Sequence, residues 1–306
     1  DSYNQAINLN PVYKEAQLNL AVLLTFKHTK VETGCLPAQV DREIKSMFSG
    51  KFDFGKISDS EIVALCNQAI NIIDRFDLNL ECDNTQIFRR NKVDMNCSRH
   101  LQIFNDSNII PKFCFGCFKV QIEPSTILEL IKLVVIFDQL TLDQNNTRKC
   151  LVELREQFQG SYKGLVYCDS VEQANQIKKR LEPILYETFG SDINVSIKHG
   201  CSEYYASYPE YKTLDQHSGS LMKYNENWEA IEKEFDEKNY RGKARPIPIA
   251  NLPSVSLHDV LIFRNWIDYA KGIGDRSTEG IKQEAIWSQT ILDAAKKRKT
   301  RLYGSI

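Results

Sequence analysis

The sequence lacks the long apolar run that a membrane-spanning helix requires. A span needs about 18 consecutive apolar residues, and the longest candidate, residues 127–142, contains Glu129, Lys132 and Asp138. No signal-peptide pattern stands at residue 1. We therefore interpret residues 127–142 as a buried helix, and we expect a cytoplasmic protein that does not contact membranes.

An excess of charge of either sign is also missing. The 306 residues carry a formal net charge of -1, so no global field favours nucleic acid or an acidic membrane surface. The nine cysteines are odd in number and spread along the chain, which is not the pattern of a disulfide scaffold. We expect reduced thiols, some of them metal ligands.

Several sequence motifs that identify common enzymes are absent. The chain contains no Gly-x-Gly-x-x-Gly, no Gly-x-x-x-x-Gly-Lys-Ser/Thr, no Gly-x-Ser-x-Gly and no His-Glu-x-x-His. The sequence therefore gives no motif evidence for any of four enzyme classes: dinucleotide-binding enzymes, P-loop enzymes, α/β-hydrolases and zincins. A hydrophobic content of 42% is ordinary for a globular protein, and 306 residues allow an ample core.

The first thirty residues resemble a junction between tetratricopeptide repeats. The resemblance rests on Ala6-Ile-Asn-Leu-Asn-Pro11, Glu15-Ala16 and Asn19-Leu-Ala21. Pro11 suits the first turn of a helix, where its missing N–H is not needed. Because stacked repeats form concave surfaces that bind peptides, the resemblance implies a protein partner at the helical N-terminal region. A plain helical hairpin is the alternative.

Strand and helix patterns alternate in the middle of the chain. After an irregular segment (77–96), strands are predicted at 118–122, 148–155, 162–168 and 194–199, with helices at 126–140 and 171–185. This β-α-β-β-α-β succession is that of a ferredoxin-like sandwich. The predicted fold class is α+β. It comprises a helical, tetratricopeptide-like region (1–76), a mixed α/β domain (77–215) and a helical C-terminal region packed on it (216–306).

Two pairs of metal-ligating residue types stand at the spacing of a zinc-ribbon-like site. Cys97 and His100 form a Cys-x-x-His pair, and Cys114 and Cys117 form a Cys-x-x-Cys pair. Each pair aims two side chains at one point, so two pairs complete a tetrahedron. Four protein ligands leave no open position for substrate, and the predicted zinc is therefore structural. Unligated core cysteines, or a redox dithiol at Cys114 and Cys117, are the alternatives.

The Cys/His pattern on a mixed α/β body resembles bacterial repeat proteins to which we attach no activity. Together with the repeat-like start, it favours a zinc-stabilised protein-interaction module as the first functional prediction.

An enzyme is the second functional prediction. His199, Cys201 and Glu203 alternate at the end of the last predicted strand. Alternate residues of a strand point the same way, so the three form a candidate metal site, or a cysteine nucleophile beside a base. Arg148 and Lys149 follow a polar turn and are candidates for holding an anionic substrate or cofactor. A strand terminus with a buried Cys201 and an exposed His199 is the structural alternative.

Nucleic-acid binding through the zinc unit is the third prediction, and the composition disfavours it. Five cations lie near the cysteines in sequence: Arg89, Arg90, Lys92, Arg99 and Lys112. The near-neutral charge and the interspersed Asp83, Asp94 and Asp106 oppose a continuous basic patch.

Overall fold

A computed structural model describes residues 2–28, 35–48, 56–78, 80–91, 93–215, 219–240, 249–284 and 288–304. Within these residues the fold is mixed α+β, as predicted, with ten α-helices and seven β-strands. The helices are α1 (Ser2–Leu9), α2 (Lys14–Leu24), α3 (Leu36–Phe48), α4 (Asp59–Arg75), α5 (Cys97–Ser107), α6 (Ile127–Gln139), α7 (Val171–Phe189), α8 (Trp228–Tyr240), α9 (Leu257–Ile273) and α10 (Gln289–Tyr303). The strands are β1 (Gln86–Arg89), β2 (Phe118–Glu123), β3 (Arg148–Val152), β4 (Tyr162–Cys168), β5 (Asn194–His199), β6 (Leu214–Asp215) and β7 (Gly219–Ser220). None of the helices in the described ranges has both the length and the apolar character needed to cross a membrane.

Five strands form one antiparallel sheet in the order β1-β3-β4-β2-β5. Phe118, at the start of β2, lies opposite Cys168 of β4 on one side and His199 of β5 on the other. The observed β4 and β5 have the predicted bounds. β1 was not predicted, because its four residues lie within the segment interpreted as irregular.

The helices α6 and α7 cover one face of the sheet. Every residue of α6 except its first-turn Glu129 and its last residue, Gln139, is buried, because the helix lies between the sheet and the helices α4 and α9. Thr126 caps α6 and Ser170 caps α7, each accepting a hydrogen bond from the third helical N–H. One hydrophobic core includes residues of all three predicted regions, from Ala21 to Ala295.

The N-terminal helices form a hairpin that packs on the rest of the molecule. α1 contacts α2, and α2 contacts both α3 and α9. Pro11 lies in the turn before α2 rather than in its first helical turn, and its carbonyl accepts a 2.5 Å hydrogen bond from Gln17 Nε2. This arrangement is compatible with a repeat junction and with a plain hairpin, so the tetratricopeptide resemblance stays a prediction.

A buried arginine joins the edge strand β1 to two helices. Arg89 Nε lies 2.6 Å from Asp138 Oδ1 of α6, and Arg89 Nη1 and Nη2 donate to the two carboxylate oxygens of Asp259 in α9 at 3.1 and 3.0 Å. Asp259 also accepts from the backbone N–H of Ser256 and so completes the capping box of α9. Burial raises the pKa of Asp138 to about 6, although Arg89 opposes this rise.

We predict that Arg89→Met destabilises the fold by about 3–5 kcal/mol, because two buried carboxylates lose their shared cation. The measurement is the free energy of unfolding in urea. Arg75→Met is the matched control, since Arg75 pairs with Glu43 at the surface and we expect it to cost less than about 1 kcal/mol. Equal losses for the two variants would contradict the role of Arg89.

Candidate functional site

The face of the sheet opposite α6 and α7 is polar. Along β2, Phe118, Val120 and Ile122 belong to the hydrophobic core, so the pleat turns Lys119 and Gln121 to the other face. The same alternation brings three further lysines to that face: Lys149 of β3, Lys163 of β4 and Lys198 of β5. Lys119 lies directly opposite Lys198 in the β2–β5 pair.

This polar face is the floor of a cleft of about 720 Å³. Residues 94–97, 152–155 and 201–203 form its walls. The cleft is therefore built by the sheet together with the start of α5, the end of β3 and the turn after β5. The elements that line the cleft lie far apart in the sequence.

Carboxylates neutralise only part of the positive charge in the cleft. Lys163 Nζ lies 3.0 Å from Glu153, Arg155 Nε lies 2.7 Å from Glu153, and Arg155 also pairs with Glu203. Burial raises the pKa of Glu153, but the hydrogen bonds and charges of Arg155 and Lys163 outweigh it and lower this pKa to about 2. In the described part of the chain, the other three cleft lysines (Lys119, Lys149 and Lys198) form no ion pair with a carboxylate.

Each of these three ammonium groups lies over an aromatic ring. Lys119 Nζ is 5.2 Å from the centroid of Tyr167, Lys149 Nζ is 5.2 Å from Phe88, and Lys198 Nζ is 5.6 Å from Tyr205. Such contacts stabilise a cation by about 0.5–2 kcal/mol. A cation–π contact offsets less of the cost of burying a charge than an ion pair would. The positive charge of these three lysines in the cleft is therefore only partly compensated.

Burial and mutual repulsion change the pKa values of these lysines. Burial, with repulsion from Lys119, lowers the pKa of Lys149 to about 8. The same two causes lower the pKa of Lys198 to about 8. Burial alone would lower the pKa of Lys119, but coulombic attraction to Cys201 and Cys117, which acts when these residues are ionised, raises it well above its ordinary value.

Two cysteine thiols line the cleft beside Lys119. Cys97 begins α5 and Cys201 follows β5. Lys119 Nζ donates a hydrogen bond to the carbonyl of Gly200 at 2.7 Å and lies 3.5 Å from Cys201 Sγ. All nine cysteines of the chain are free thiols.

The predicted zinc ligands are divided between different surroundings. The ring of His100 is stacked on Phe113 at 5.0 Å. Cys114 is buried in an aromatic cluster, with its Sγ 3.4 Å from the hydroxyl of Tyr204. Cys97 interacts electrostatically with Cys201, Lys119 and Cys117. Among the described residues, no group of three or more His, Cys, Asp or Glu side chains is arranged to hold a metal ion, and zinc at Cys97, His100, Cys114 and Cys117 stays a prediction.

Two of the three candidate catalytic residues lie in the cleft. Cys201 and Glu203 line it, whereas His199 is on the opposite side of β5 and only 1% exposed. His199 Nδ1 lies 2.8 Å from the carbonyl of Tyr211, and His199 Nε2 lies 3.1 Å from the carbonyl of Phe115. Both ring nitrogens are engaged with the backbone, and the exposed His199 of the structural alternative is wrong.

The two candidate anion-binding residues are separated by the pleat. Lys149 lies in the cleft, whereas Arg148 is fully buried on the α6 side, where its guanidinium donates to the carbonyl of Phe137. Burial lowers the pKa of Arg148 to about 10. Only Lys149 of this pair can contact a ligand in the cleft.

The cations proposed for nucleic-acid binding do not share one surface. Arg89 is buried, and Arg99 is buried against α8 with Glu232 at 3.1 Å and Asp236 at 2.6 Å. Arg90 donates to the carbonyl of Asp138 at 2.6 Å. Lys112 is exposed, and Lys92 lies outside the described residues.

Sequence reasoning missed most of the cleft. Lys119, Lys163, Lys198, Glu153, Arg155 and Tyr167 were not singled out. A signal was present, because each of the four predicted strands carries a lysine among apolar residues. Strand phase alone would have placed these lysines on one face.

Comparisons with protein-family models, with curated proteins and with solved structures give no match.

We predict that the amines of Lys149 and Lys198 titrate near pH 8 in the folded protein, because burial disfavours their charged form. After reductive methylation with ¹³C-formaldehyde, NMR titration measures each dimethylamine, and Lys149→Arg and Lys198→Arg assign the two resonances. The same amines in urea are the reference and should titrate near the ordinary lysine value of about 10.4. Ordinary values in the folded protein would show that the cleft amines are fully hydrated.

Proposed function

We propose that this chain binds an anionic small molecule in the cleft on the polar face of the sheet. The observation that carries the proposal is the environment of the Lys149 ammonium group. Within the described residues its ammonium group has no carboxylate and no hydrogen-bond acceptor, only the face of Phe88. A half-buried cation without an acceptor is unfavourable, and a bound carboxylate or phosphate would supply both the charge and the acceptor.

The size and lining of the cleft favour a small molecule. A volume of about 720 Å³ lies within the range of small-molecule sites, which is about 300–1,000 Å³. Phe88, Leu165 and Tyr167 give the floor an apolar part beside the lysines. The preferred ligand is thus an anion with an apolar or aromatic body.

The proposal is closer to the enzyme prediction than to the interaction module. Cys201 and Glu203 of the predicted enzyme site lie in the same cleft as Lys149.

We also propose a ferredoxin-like core for this domain. Its support is the neighbour order β3-β4-β2-β5, with α6 and α7 on one face and the ligand cleft on the other.

A protein partner at the N-terminal hairpin is a second, independent candidate function. Leu9 and Val12 are 88% and 79% exposed, and Tyr13 beside them is 45% exposed. Adjacent exposed apolar side chains favour a contact surface. A photo-crosslinking residue in place of Leu9 tests this candidate, with Lys233 on α8 as the control position: crosslinks from position 9 alone would support it.

We predict that calorimetric titration with pyrophosphate, citrate or adenosine monophosphate at pH 7 and low salt gives saturable 1:1 binding for at least one of the three anions. Lys149→Met should weaken that binding at least about tenfold, since a hydrogen bond to a charged group contributes about 1.5–3 kcal/mol. Binding should also weaken between pH 7 and pH 9, because the ammonium groups of Lys149 and Lys198 lose their protons near pH 8.

Lys233→Met is the matched control for this titration. Lys233 lies on the surface of α8 and pairs with Glu229 at 3.1 Å, so its loss should leave the affinity unchanged. The absence of binding for all three anions, or an equal weakening by both variants, would contradict the proposed function.

A further inference from the structure

A second cavity, which we call the edge recess, lies along the outer edge of the sheet. In the described part of the chain, β1 pairs with β3 alone, so its other edge is not covered by a strand. The edge recess has a volume of about 490 Å³, and it is lined by β1, the end of α2, Asn251 and the first turns of α9. A cavity of this volume is within the range of small-molecule sites.

The edge recess and the cleft share a wall. Four residues line both cavities: Thr85, Gln86, Phe88 and Asn91. The ring centroid of Phe88 also lies 5.2 Å from Lys149 Nζ. An anionic group that contacts Lys149 is therefore separated from the edge recess by a single side chain.

The edge recess differs from the cleft in charge. Four lysines line the cleft, whereas the described residues that line the edge recess include no lysine and no arginine. The titratable residues there are Asp83, Asp259, which is paired with Arg89, and His258. Burial lowers the pKa of His258, whose Nε2 lies 3.3 Å from Asn84 Nδ2, so its ring is neutral at pH 7. The edge recess thus suits the part of a ligand that carries hydrogen-bond donors rather than negative charge.

The side-chain amide of Asn251 has no hydrogen-bond partner in the described part of the chain, and its Oδ1 is buried. The N–H of Leu252 donates to the carbonyl of Thr25 at 2.8 Å and so holds Asn251 against the end of α2, at the wall of the edge recess. A buried carbonyl oxygen without a donor is unfavourable. Rotation about the terminal torsion of the side chain turns either end of the amide towards the edge recess. A ligand N–H group there would supply the missing donor.

Apolar side chains complete the edge recess. Val22, Phe26 and Ile262 line it together with Phe88. Such walls favour a flat ring, since every nucleic-acid base has a π-face that stacks on aromatic side chains. An asparagine amide also matches the edge of adenine, because it accepts from the exocyclic amino group and donates to a neighbouring ring nitrogen.

We infer that the edge recess binds the amino-substituted base of a nucleotide whose phosphate lies in the cleft at Lys149. The Asn251 amide contacts the amino group and the ring nitrogen beside it, and Phe88 lies between the base and the phosphate. Adenine and cytosine both present an amino group next to a ring nitrogen. The inference rests on the proposed function for the phosphate, and it adds the class of the ligand.

The test is calorimetric titration with two matched pairs of nucleotides at pH 7 and low salt. Adenosine monophosphate is compared with purine riboside monophosphate, and cytidine monophosphate is compared with its analogue that lacks the amino group. Within each pair the sugar and the phosphate are identical, so only the hydrogen bonding of the base differs. We expect the amino compound of at least one pair to bind at least about fivefold more tightly, because its analogue leaves a buried group unpaired. Equal affinities within both pairs would overturn the inference.

Asn251→Leu separates base recognition from folding. Leucine has a similar shape and removes the unpaired amide, so the variant should unfold at a urea concentration no lower than the wild type does. In this variant the preference for amino compounds should disappear, whereas the affinity for ribose 5-phosphate should stay unchanged. Asn239→Leu, on the exposed surface of α8, is the matched control and should retain the preference. Lower stability of Asn251→Leu with the preference retained would show a structural role and contradict the inference.

Pyrophosphate and ribose 5-phosphate distinguish a failure of this inference from a failure of the proposed function. Binding of these anions without discrimination within the nucleotide pairs would support the anion site and overturn base recognition. If no anion binds, the proposed function fails, and ligand-observed NMR with the uncharged nucleosides adenosine and purine riboside decides base recognition separately. A preference for adenosine that Asn251→Leu abolishes would then support the edge recess as a base site, and equal signals from the two nucleosides would overturn it.

Discussion

The desolvation of cations is the constraint on which this structure depends. Each buried cation must find an anion, a carbonyl or an aromatic face, and the fold supplies different partners on the two sides of the sheet. On the helix side, Arg89 meets Asp138 and Asp259, and β1 is thereby joined to α6 and α9. On the cleft side, among the residues that the structure describes, the ammonium group of Lys149 contacts only the ring of Phe88. The paired charges hold the fold together, and Lys149 marks the place at which we propose that an anion binds.

Local sequence patterns were sufficient for the elements that make up the core. The alternation within β4 and β5 predicted both strands with their observed bounds, and α7 begins at Val171, the predicted first residue of that helix. β1 escaped prediction because it is short and turns the charged Arg89 inward. Only the carboxylates of α6 and α9 make that orientation favourable, and they lie about 50 and 170 residues away along the chain.

The candidate site was only partly accessible from the sequence. Cys201, Glu203 and Lys149 could be named because they lie at strand ends, where functional residues are common. The phase of β2 places Lys119 on the polar face, but a polar strand residue ordinarily faces water, so the burial of Lys119 beside Cys201 was not predictable. Its contact with Cys201 joins positions 82 residues apart. The Cys/His spacing near residue 100 encouraged a metal prediction, yet α5 directs His100 towards Phe113.

The pleat of β3 makes the core and the cleft depend on the same register. Arg148 and Lys149 are neighbours in the chain, but Arg148 is buried beneath α6 whereas Lys149 faces the cleft. A one-residue deletion or insertion before this strand would exchange their destinations. Lys149 would then be forced into an apolar layer while Arg148 entered the cleft. The stability of the core and the anion binding that we propose for the cleft would consequently be lost together.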